Sequence, residues 1–441
     1  LKLGEIEEAE VIDLAHDGRG IARIGGKAVF VEGALPGERV RLRVWKRRSQ
    51  FDEAGLVEVL RASADRVTPP CTHFGLCGGC ALQHLAPEAQ LAAKERQLLD
   101  NLQRIGRVSP SRVFEPLRGP TEGYRRRARL GVKFVHKKGR VLAGFRERDK
   151  PYLADLRRCE VLLPRFADLP ADLAALVESL TLRESIPQVE LAAGDDDPLH
   201  ADTAALVFRV LAAPSDLDLE KLKSFGELHS VQIFLQSGGL DTVRPLQEHY
   251  PPLAYEVDGR VRLQFGPVDF IQVNPQINRK MVEMAADWLA PGPDDRVLDL
   301  FCGLGNFTLS LGRRAARVVG VEGDAALVDK ARANALRNGV GNAEFHVANL
   351  FEPKGHGSWA NEAYDLVLLD PPRAGAAEIL ERMAHWQPRR LVYISCHPAS
   401  LARDAGILVA GQGFELIGAG VMDMFPHTTH VESIAVFERR P

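Results

Sequence analysis

Cys396 sits in the run Tyr393-Ile394-Ser395-Cys396-His397-Pro398, downstream of Asp370-Pro371-Pro372-Arg373. A thiol at the end of an apolar strand has two readings: a covalent nucleophile, or a small side chain packed in the core. A free thiol has a pKa of about 8.5 and is only a few per cent ionised at neutral pH. As a nucleophile, Cys396 therefore needs neighbours that promote its ionisation or capture its target.

Three further cysteines crowd into Pro70-Cys71-Thr72-His73-Phe74-Gly75-Leu76-Cys77-Gly78-Gly79-Cys80, spaced C-x5-C-x2-C, and Cys159 follows in Arg157-Arg158-Cys159-Glu160. Four thiolates hold either a zinc ion or an iron–sulfur cluster. Zinc sites usually split into two close pairs, whereas three near ligands and one distant ligand better suit a cubane. Cys302, beside Gly303, is small enough to pack under a turn and is assigned no chemistry. His427 and His430 read as surface or core side chains rather than metal ligands. Six cysteines without an export signal point to a reducing, cytoplasmic setting, where clustered thiols bind metal or catalyse rather than pair.

The elements that must position Cys396 begin at about residue 273, where helical and strand patterns alternate. Residues 281–289 read as helix, and 296–301, 318–322, 345–347, 364–369 and 391–395 as strands. Two more strands, near 415–419 and 431–437, complete the set. Continuous apolar strands separated by helices imply a parallel sheet covered on both faces. Asp299-Leu300-Phe301-Cys302-Gly303-Leu304-Gly305-Asn306-Phe307 is a strand, a glycine turn and a helix start. The turn lacks the third glycine of the dinucleotide fingerprint. Glu322 ends the next strand, where an acid accepts ribose hydroxyls, and Asn349 ends the third, within reach of an adenine edge. Glycine turn, strand-end acid and third-strand amide together resemble the S-adenosylmethionine (SAM) methyltransferase fold.

The turn Asp370-Pro371-Pro372-Arg373 ends the fourth strand. Methyltransferases of exocyclic amines carry an aromatic after the prolines of a similar turn; here Arg373 takes its place and a cysteine ends the next strand. That combination suits carbon 5 of a pyrimidine, which is a poor nucleophile until a thiolate adds to C6 and makes C5 enolate-like. A base must then remove the C5 proton so that the thiol can leave.

The N-terminal segment alternates apolar and polar residues, with turns at Asp17-Gly18, Gly25-Gly26 and Pro36-Gly37, and reads as about five short strands of a small barrel. His16 to Ala22 and Val29 to Glu38 resemble the TRAM domain, an OB-like RNA-binding module. A helix is expected over 87–105, opened by Pro87, with Leu91, Leu98, Leu102 and Ile105 on one face. The region from Tyr124 to about Phe270 reads as mostly strands, with helices near 169–180 and 217–222. At 441 residues the chain is long enough for two to four domains, and no apolar run approaches the roughly 18 residues that span a bilayer. The first residue is Leu1, so a few residues are expected to precede it in the natural chain.

The net charge of −3 hides two basic runs: six Lys/Arg between Arg39 and Arg48, and eleven between Gly123 and Lys150. With Trp45, Tyr124, Phe134 and Phe145 interleaved, they point to a polyanion-binding surface.

Phe270-Ile271-Gln272-Val273-Asn274-Pro275, Asp299 to Phe307, Asp370 to Arg373, Ser395 to Pro398 and His430-Val431-Glu432-Ser433 occur in an order that resembles the RNA uracil-C5 methyltransferases. The resemblance implies that Cys396 is the nucleophile and Glu432 the base. It implies that Gln272, Phe301, Asn306, Glu322, Asn349 and Asp370 line the SAM site, with Asp370 between cofactor and uracil. It also implies a 4Fe–4S cluster on Cys71, Cys77, Cys80 and Cys159, with a structural role. Radical SAM chemistry needs an open iron and another three-cysteine spacing. His397 stands where the family commonly has Asn. The RNA cytosine-C5 class carries a cysteine beside the proline of the fourth-strand motif, and Pro371 and Pro372 have no such neighbour.

The expectation is thus an α/β enzyme with a Rossmann-like SAM domain at 273–441, an OB-like TRAM barrel at 1–62 and a central α+β iron–sulfur domain at 63–272. The helix 87–106 is expected to pack on the catalytic domain. The TRAM-like barrel and the cysteine cluster favour a uridine of 23S ribosomal RNA, free or partly assembled, as the substrate of a cytoplasmic monomer with no membrane partner. The alternatives are the same chemistry on another or a second RNA uridine, and an RNA-binding ribosome-assembly factor.

Overall fold

The computed structural model describes residues 3–196, 203–352 and 357–440. The chain divides into two compact units, one of Leu1–Gln97, Phe145–Ala154 and Phe425–His430, the other of Leu98–Gly144, Asp155–Met424 and Val431–Pro441.

The first unit contains a closed barrel of β1 (Ile6–Leu14), β2 (Gly20–Ile24), β3 (Lys27–Glu32), β4 (Arg39–Arg47) and β5 (Phe51–Arg61), in the order β1-β2-β3-β5-β4. Strict alternation builds it: Val40, Leu42 and Val44 of β4 are fully buried beside Val29, Val31 and Ala54. Each fully buried Val or Leu contributes about 1.5–3 kcal/mol. The intervening Arg39 and Arg41 face outward and meet Glu8, and Arg41 also meets Glu58. These cations are therefore already paired with acids of the barrel, unlike Arg43, Lys46 and Trp45, which stay exposed on the same strand.

α1 (Pro87–Asn101) carries the chain into the second unit. The expected continuous helix to 105 changes character at Leu102–Gly106, which forms a π-turn. The wider turn ends at Arg107 with φ of 54°. A six-stranded sheet follows, ordered β12-β11-β10-β9-β7-β8. Its strands in chain order are β7 (Arg127–Val135), β8 (Arg140–Gly144), β9 (Gln188–Ala193), β10 (Ala204–Arg209), β11 (Gln232–Gln236) and β12 (Val243–Pro245), and β6 (Arg112–Val113) precedes them. α2 (Leu169–Ser179) and α3 (Asp216–His229) pack on it, the latter longer than the helix expected from 217–222 because Ser215 and Asp218 form a capping box. The hairpin β13 (Leu253–Glu256) and β14 (Arg262–Phe265) leads into α4 (Pro275–Leu289), which Asn274 caps by accepting from Ile277 N at 3.2 Å.

The final sheet has eight strands, ordered β17-β16-β15-β18-β19-β21-β20-β6. β15 (Arg296–Leu300), β16 (Arg317–Glu322), β17 (Ala343–Val347), β18 (Leu366–Leu369) and β19 (Arg390–Ser395) run parallel. α5 (Thr308–Gly312), α6 (Ala325–Arg337), α7 (Ala377–Leu380), α8 (Met383–Trp386) and α9 (Pro398–Gly411) connect them. β20 (Phe414–Met422) then passes to β21 (Glu432–Arg439), which inserts antiparallel between β19 and β20. Leu298, Val319, Leu368 and Val392 are fully buried, as strands covered on both faces require. β6 adds to the far edge beside β20, where Phe114 lies over Gly418 and stacks on Trp288 with ring centroids 3.9 Å apart.

Candidate active site

The five parallel strands end on one side of the sheet, the usual place for ligands in an open α/β fold. After β15 the chain turns sharply: Phe301, Gly303 and Gly305 have φ of 66°, 53° and 90°. The N–H groups of Phe301 and Cys302 both donate to Val321 O, at 2.8 and 3.1 Å, and tie the turn to β16. Glu322 at the end of β16 accepts from Gly303 N at 3.1 Å, Gly323 N at 2.7 Å and Asp324 N at 3.1 Å. A carboxylate has about four acceptor positions, so Glu322 keeps capacity for a ribose hydroxyl. Asn349 is held within its own loop, accepting from Phe351 N at 3.2 Å and donating to Glu352 at 2.8 Å.

Asn306 exchanges two hydrogen bonds with Asn278, at 3.1 and 3.0 Å, and its Oδ1 also accepts from Tyr255 OH at 3.2 Å. Gln272 is anchored through its carbonyl, which accepts from Arg126 Nε at 2.8 Å. Cys302 is buried beneath the turn, where burial pushes its thiol well above the usual range, so it is inert as a nucleophile.

Antiparallel pairing brings Cys396 and Glu432 together. Ser395 and Ser433 are register partners, and Ser433 Oγ donates to Ser395 O at 2.9 Å. The next residue of β19's strand direction and the preceding residue of β21 are the thiol and the acid. Glu432 is buried; desolvation, reinforced by Asp370, lifts its carboxyl far above the usual carboxylate range. Desolvation pushes Asp370 up to about 7. Asp299, fully buried under the turn, is also pushed to about 7 by desolvation, with Asp370 and Glu322 adding, against a 2.5 Å hydrogen bond from Thr308. The Cys396 thiol is raised by burial and by the charges of Glu432 and Asp370; Arg373 opposes them through its charge and a hydrogen bond to the sulfur.

The loop carrying Arg373 is gripped by α9. Ser400 Oγ donates to Arg373 O at 2.6 Å, Arg403 Nη2 to Ala374 O at 2.8 Å, and Asp404 Oδ2 accepts from Ala376 N at 2.7 Å. Tyr393 OH also donates to Asp404 Oδ2, at 2.5 Å. His397 caps α9, its Nδ1 lying 3.3 Å from Ser400 N and 2.8 Å from Ser400 Oγ, so the residue that replaces the common Asn keeps a capping role.

A family model described as tRNA (Uracil-5-)-methyltransferase matches residues 87–350 and 358–440. The chain belongs to this family. A TRAM domain model matches residues 1–57. This uracil-5-methyltransferase family member is 52% identical to the 23S rRNA (uracil(1939)-C(5))-methyltransferase RlmD of Stenotrophomonas maltophilia (strain K279a), over 98% of this chain and 97% of that one. It is 50% identical to the protein of the same name from Methylococcus capsulatus (strain ATCC 33009 / NCIMB 11132 / Bath), over 98% and 96%. The crystal structure of Pyrococcus abyssi tRNA (uracil-54, C5)-methyltransferase in complex with S-adenosyl-L-homocysteine shares the fold, with a TM-score of 0.73 at 23% identity over 98% of this chain and all of that one.

In this uracil-5-methyltransferase family member the remaining cysteines divide between the units, with Cys71, Cys77 and Cys80 in the first and Cys159 in the second. None is in a disulfide. The loop around Cys77 is pinned by Gly78 N donating to Arg146 O at 2.8 Å and Arg148 N to Leu76 O at 2.9 Å. Gly79 N approaches Cys77 Sγ at 3.4 Å. Among the described residues, no three His, Cys, Asp or Glu side chains converge as a preformed metal cage. Four thiols are a donor set of the kind that iron–sulfur clusters use.

Sequence reasoning missed several participants. Arg126 was counted in a basic surface run, yet its side chain is 1% exposed. Its neighbours Arg127 and Arg129 both pair with Glu190. Tyr255, Asn278, Ser400 and Asp404 carry no motif, and Asp299 opens the glycine-turn motif with no role assigned to it. The one available signal was His397-Pro398 with Ser400 three residues on, a helix-start pattern.

Proposed function

We propose that the protein transfers a methyl group from SAM to C5 of a uridine in 23S ribosomal RNA. Membership of the uracil-5 family, and relatives at 50–52% identity named for uracil 1939 of that RNA, support the substrate class. The observation that carries the chemistry is the juxtaposition of Cys396 and Glu432 through the Ser395–Ser433 register, beside Arg373 and Asp370.

SAM supplies the methyl group, held by Gln272, Phe301, Asn306, Glu322, Asn349 and Asp370. Glu322 receives the ribose hydroxyls and the Asn306 amide presents its remaining N–H. The Cys396 thiolate, steadied by Arg373, adds to C6 of the uracil, and the displaced electron pair makes C5 nucleophilic. After C5 is methylated, with S-adenosylhomocysteine as the leaving group, Glu432 in its carboxylate form, which burial makes strongly basic, takes the C5 proton; the electron pair of the C5–H bond re-forms the C5–C6 double bond and expels the thiolate. Asp370 lies between cofactor and base, where its raised affinity for a proton suits a hydrogen bond to the uracil. The uridine is unstacked into this site at a cost of a few kcal/mol.

The exposed Trp45, Arg43 and Lys46 of the TRAM barrel supply stacking and phosphate contacts for the RNA. Cys71, Cys77, Cys80 and Cys159 hold a 4Fe–4S cluster of structural role, supported by the C-x5-C-x2-C run with one distant cysteine in the sequence, none of the four being in a disulfide.

Trapping with 5-fluorouridine RNA tests the reading. Fluorine at C5 cannot leave as a proton, so a SAM-dependent covalent adduct is expected and is lost in Cys396→Ala; an adduct that persists in that variant refutes the assignment. Iron and sulfide assays on anaerobically purified protein are expected to give four of each per chain; stoichiometric zinc without sulfide refutes the cluster.

A further inference from the structure

Arg126 is a cation sealed inside the second unit. Its Nε donates to Gln272 O at 2.8 Å, its backbone N–H donates to Val273 O at 2.9 Å, and its guanidinium carbon stands 4.3 Å over the Tyr255 ring. Asp195 supplies the countercharge, 3.5 Å from Nη1, and is itself held by Arg279 at 2.6 Å and Glu256 N at 2.9 Å. Tyr255 is buried, and desolvation raises its hydroxyl to about 12, so it remains a donor throughout the working pH range. That hydroxyl donates to Asn306 Oδ1.

The consequence for Asn306 follows by counting. Its Oδ1 accepts from both Tyr255 and Asn278, and one Nδ2 hydrogen is given to Asn278 Oδ1. A flip of this amide alone would place its NH2 group against the Asn278 NH2 group. One N–H is therefore left over in a fixed direction. The same guanidinium that braces the Tyr255 ring also fixes the peptide of Gln272, so one buried cation reaches Gln272 directly and Asn306 through Tyr255.

We propose that Arg126 and Tyr255 are positioning residues for cofactor binding: Arg126 fixes the Gln272 segment and the Tyr255 ring, and Tyr255 fixes the Asn306 amide. This rests on the SAM-site reading above. The pair acts on cofactor affinity and leaves the chemistry at Cys396 untouched, because neither residue contacts Arg373, Cys396 or Glu432 in the hydrogen-bond and charge network of the nucleophile.

The test is calorimetric titration of the full-length protein with S-adenosylhomocysteine. Tyr255→Phe removes one hydroxyl and is expected to weaken binding about fivefold to tenfold, the effect of roughly one hydrogen bond. Arg126→Lys keeps the charge, loses the Nε–H to Gln272, and is expected to weaken binding at least as much. In steady state both raise KM for SAM while kcat at saturation changes by less than about threefold. A general loss of packing would not discriminate, so the deciding measurement is a double-mutant cycle. Tyr255→Phe is expected to have no further effect in an Asn306→Ala background. If Asn306→Ala binds too weakly to measure, Asn306→Ser, which likewise removes the amide oxygen that Tyr255 donates to, replaces it. The proposal is overturned if either single variant binds within twofold of the parent, or if the losses multiply. A parent protein that binds no S-adenosylhomocysteine would overturn the SAM-site reading itself.

Discussion

Replacing Arg373 by Met should raise the pKa of Cys396 and slow its reactions with electrophiles. In the folded protein the thiol is pushed up by burial, Glu432 and Asp370, and Arg373 is the cation that opposes them. A hydrogen bond to a charged group is worth about 1.5–3 kcal/mol, and screening at this partly exposed sulfur favours about 1–2 kcal/mol. That corresponds to a rise of roughly 0.7–1.5 pH units in the titration of the thiol. Below its pKa the thiolate fraction then falls about fivefold to thirtyfold. A more basic thiolate is also a better nucleophile, with a Brønsted slope of about 0.4–0.5, so the net loss of alkylation rate is only about twofold to eightfold. The position of the pH–rate midpoint is thus the sharper readout. Iodoacetamide labelling over a pH series, with peptide mapping to separate Cys396 from the other five cysteines, should show the midpoint moving up in Arg373→Met and by less in Arg373→Lys. A midpoint that stays put or moves down would refute the role of Arg373.

Three further outcomes follow from the same geometry. Glu432→Gln should lower methyl turnover by about 10²- to 10⁴-fold while a covalent RNA adduct accumulates on denaturing gels, because addition and methylation precede the proton removal; turnover near the parent rate would sink the assignment. Gly375 has φ of 84°, and a Cβ there would come within 2.5 Å of Arg403 Nη2 and 2.6 Å of Asp404 Oδ2. Gly375→Ala should therefore dislodge the Arg373 loop and cut the single-turnover rate by roughly tenfold or more, measured with saturating RNA and SAM. Asp299 and Asp370 both hold protons up to about pH 7 in the folded protein. Their folded pKa values lie above the unfolded ones, so the stability they contribute is fully present below about pH 4 and is lost as pH rises to about 7. Scanning calorimetry should show a steeper fall of Tm across that window in the parent than in Asp299→Asn, which removes one of the two titrations.

The succession of strands and helices along the chain around Cys396 was legible because each element carried its own local signal: apolar runs, glycine turns and Pro-led helix starts. The long-range pairing was less so. Glu432 is 36 positions from Cys396 in the chain, and only the antiparallel insertion of β21 makes them neighbours; a pattern of apolar strands does not state their spatial order. The run Tyr124-Arg125-Arg126-Arg127-Ala128-Arg129 misled for a related reason. Consecutive arginines look like a solvated patch, yet alternation along a strand turns successive side chains to opposite faces, and Arg126 falls on the buried one. Asp404 lies in the middle of a helix with no motif around it, and its role emerges only when α9 meets the Arg373 loop.

The two-residue strand β6 has a consequence beyond the site. Sheet edges expose unpaired backbone groups that recruit other strands. Here the edge beyond β20 is closed by β6, with Phe114 laid across Gly418 and held by Trp288. Of the two ends of the eight-stranded sheet, only β17 remains as an outer strand of ordinary length. Edge-to-edge aggregation of this sheet is thereby confined to one side, and deleting the short segment around Phe114 would open a second, long and apolar template for misassembly.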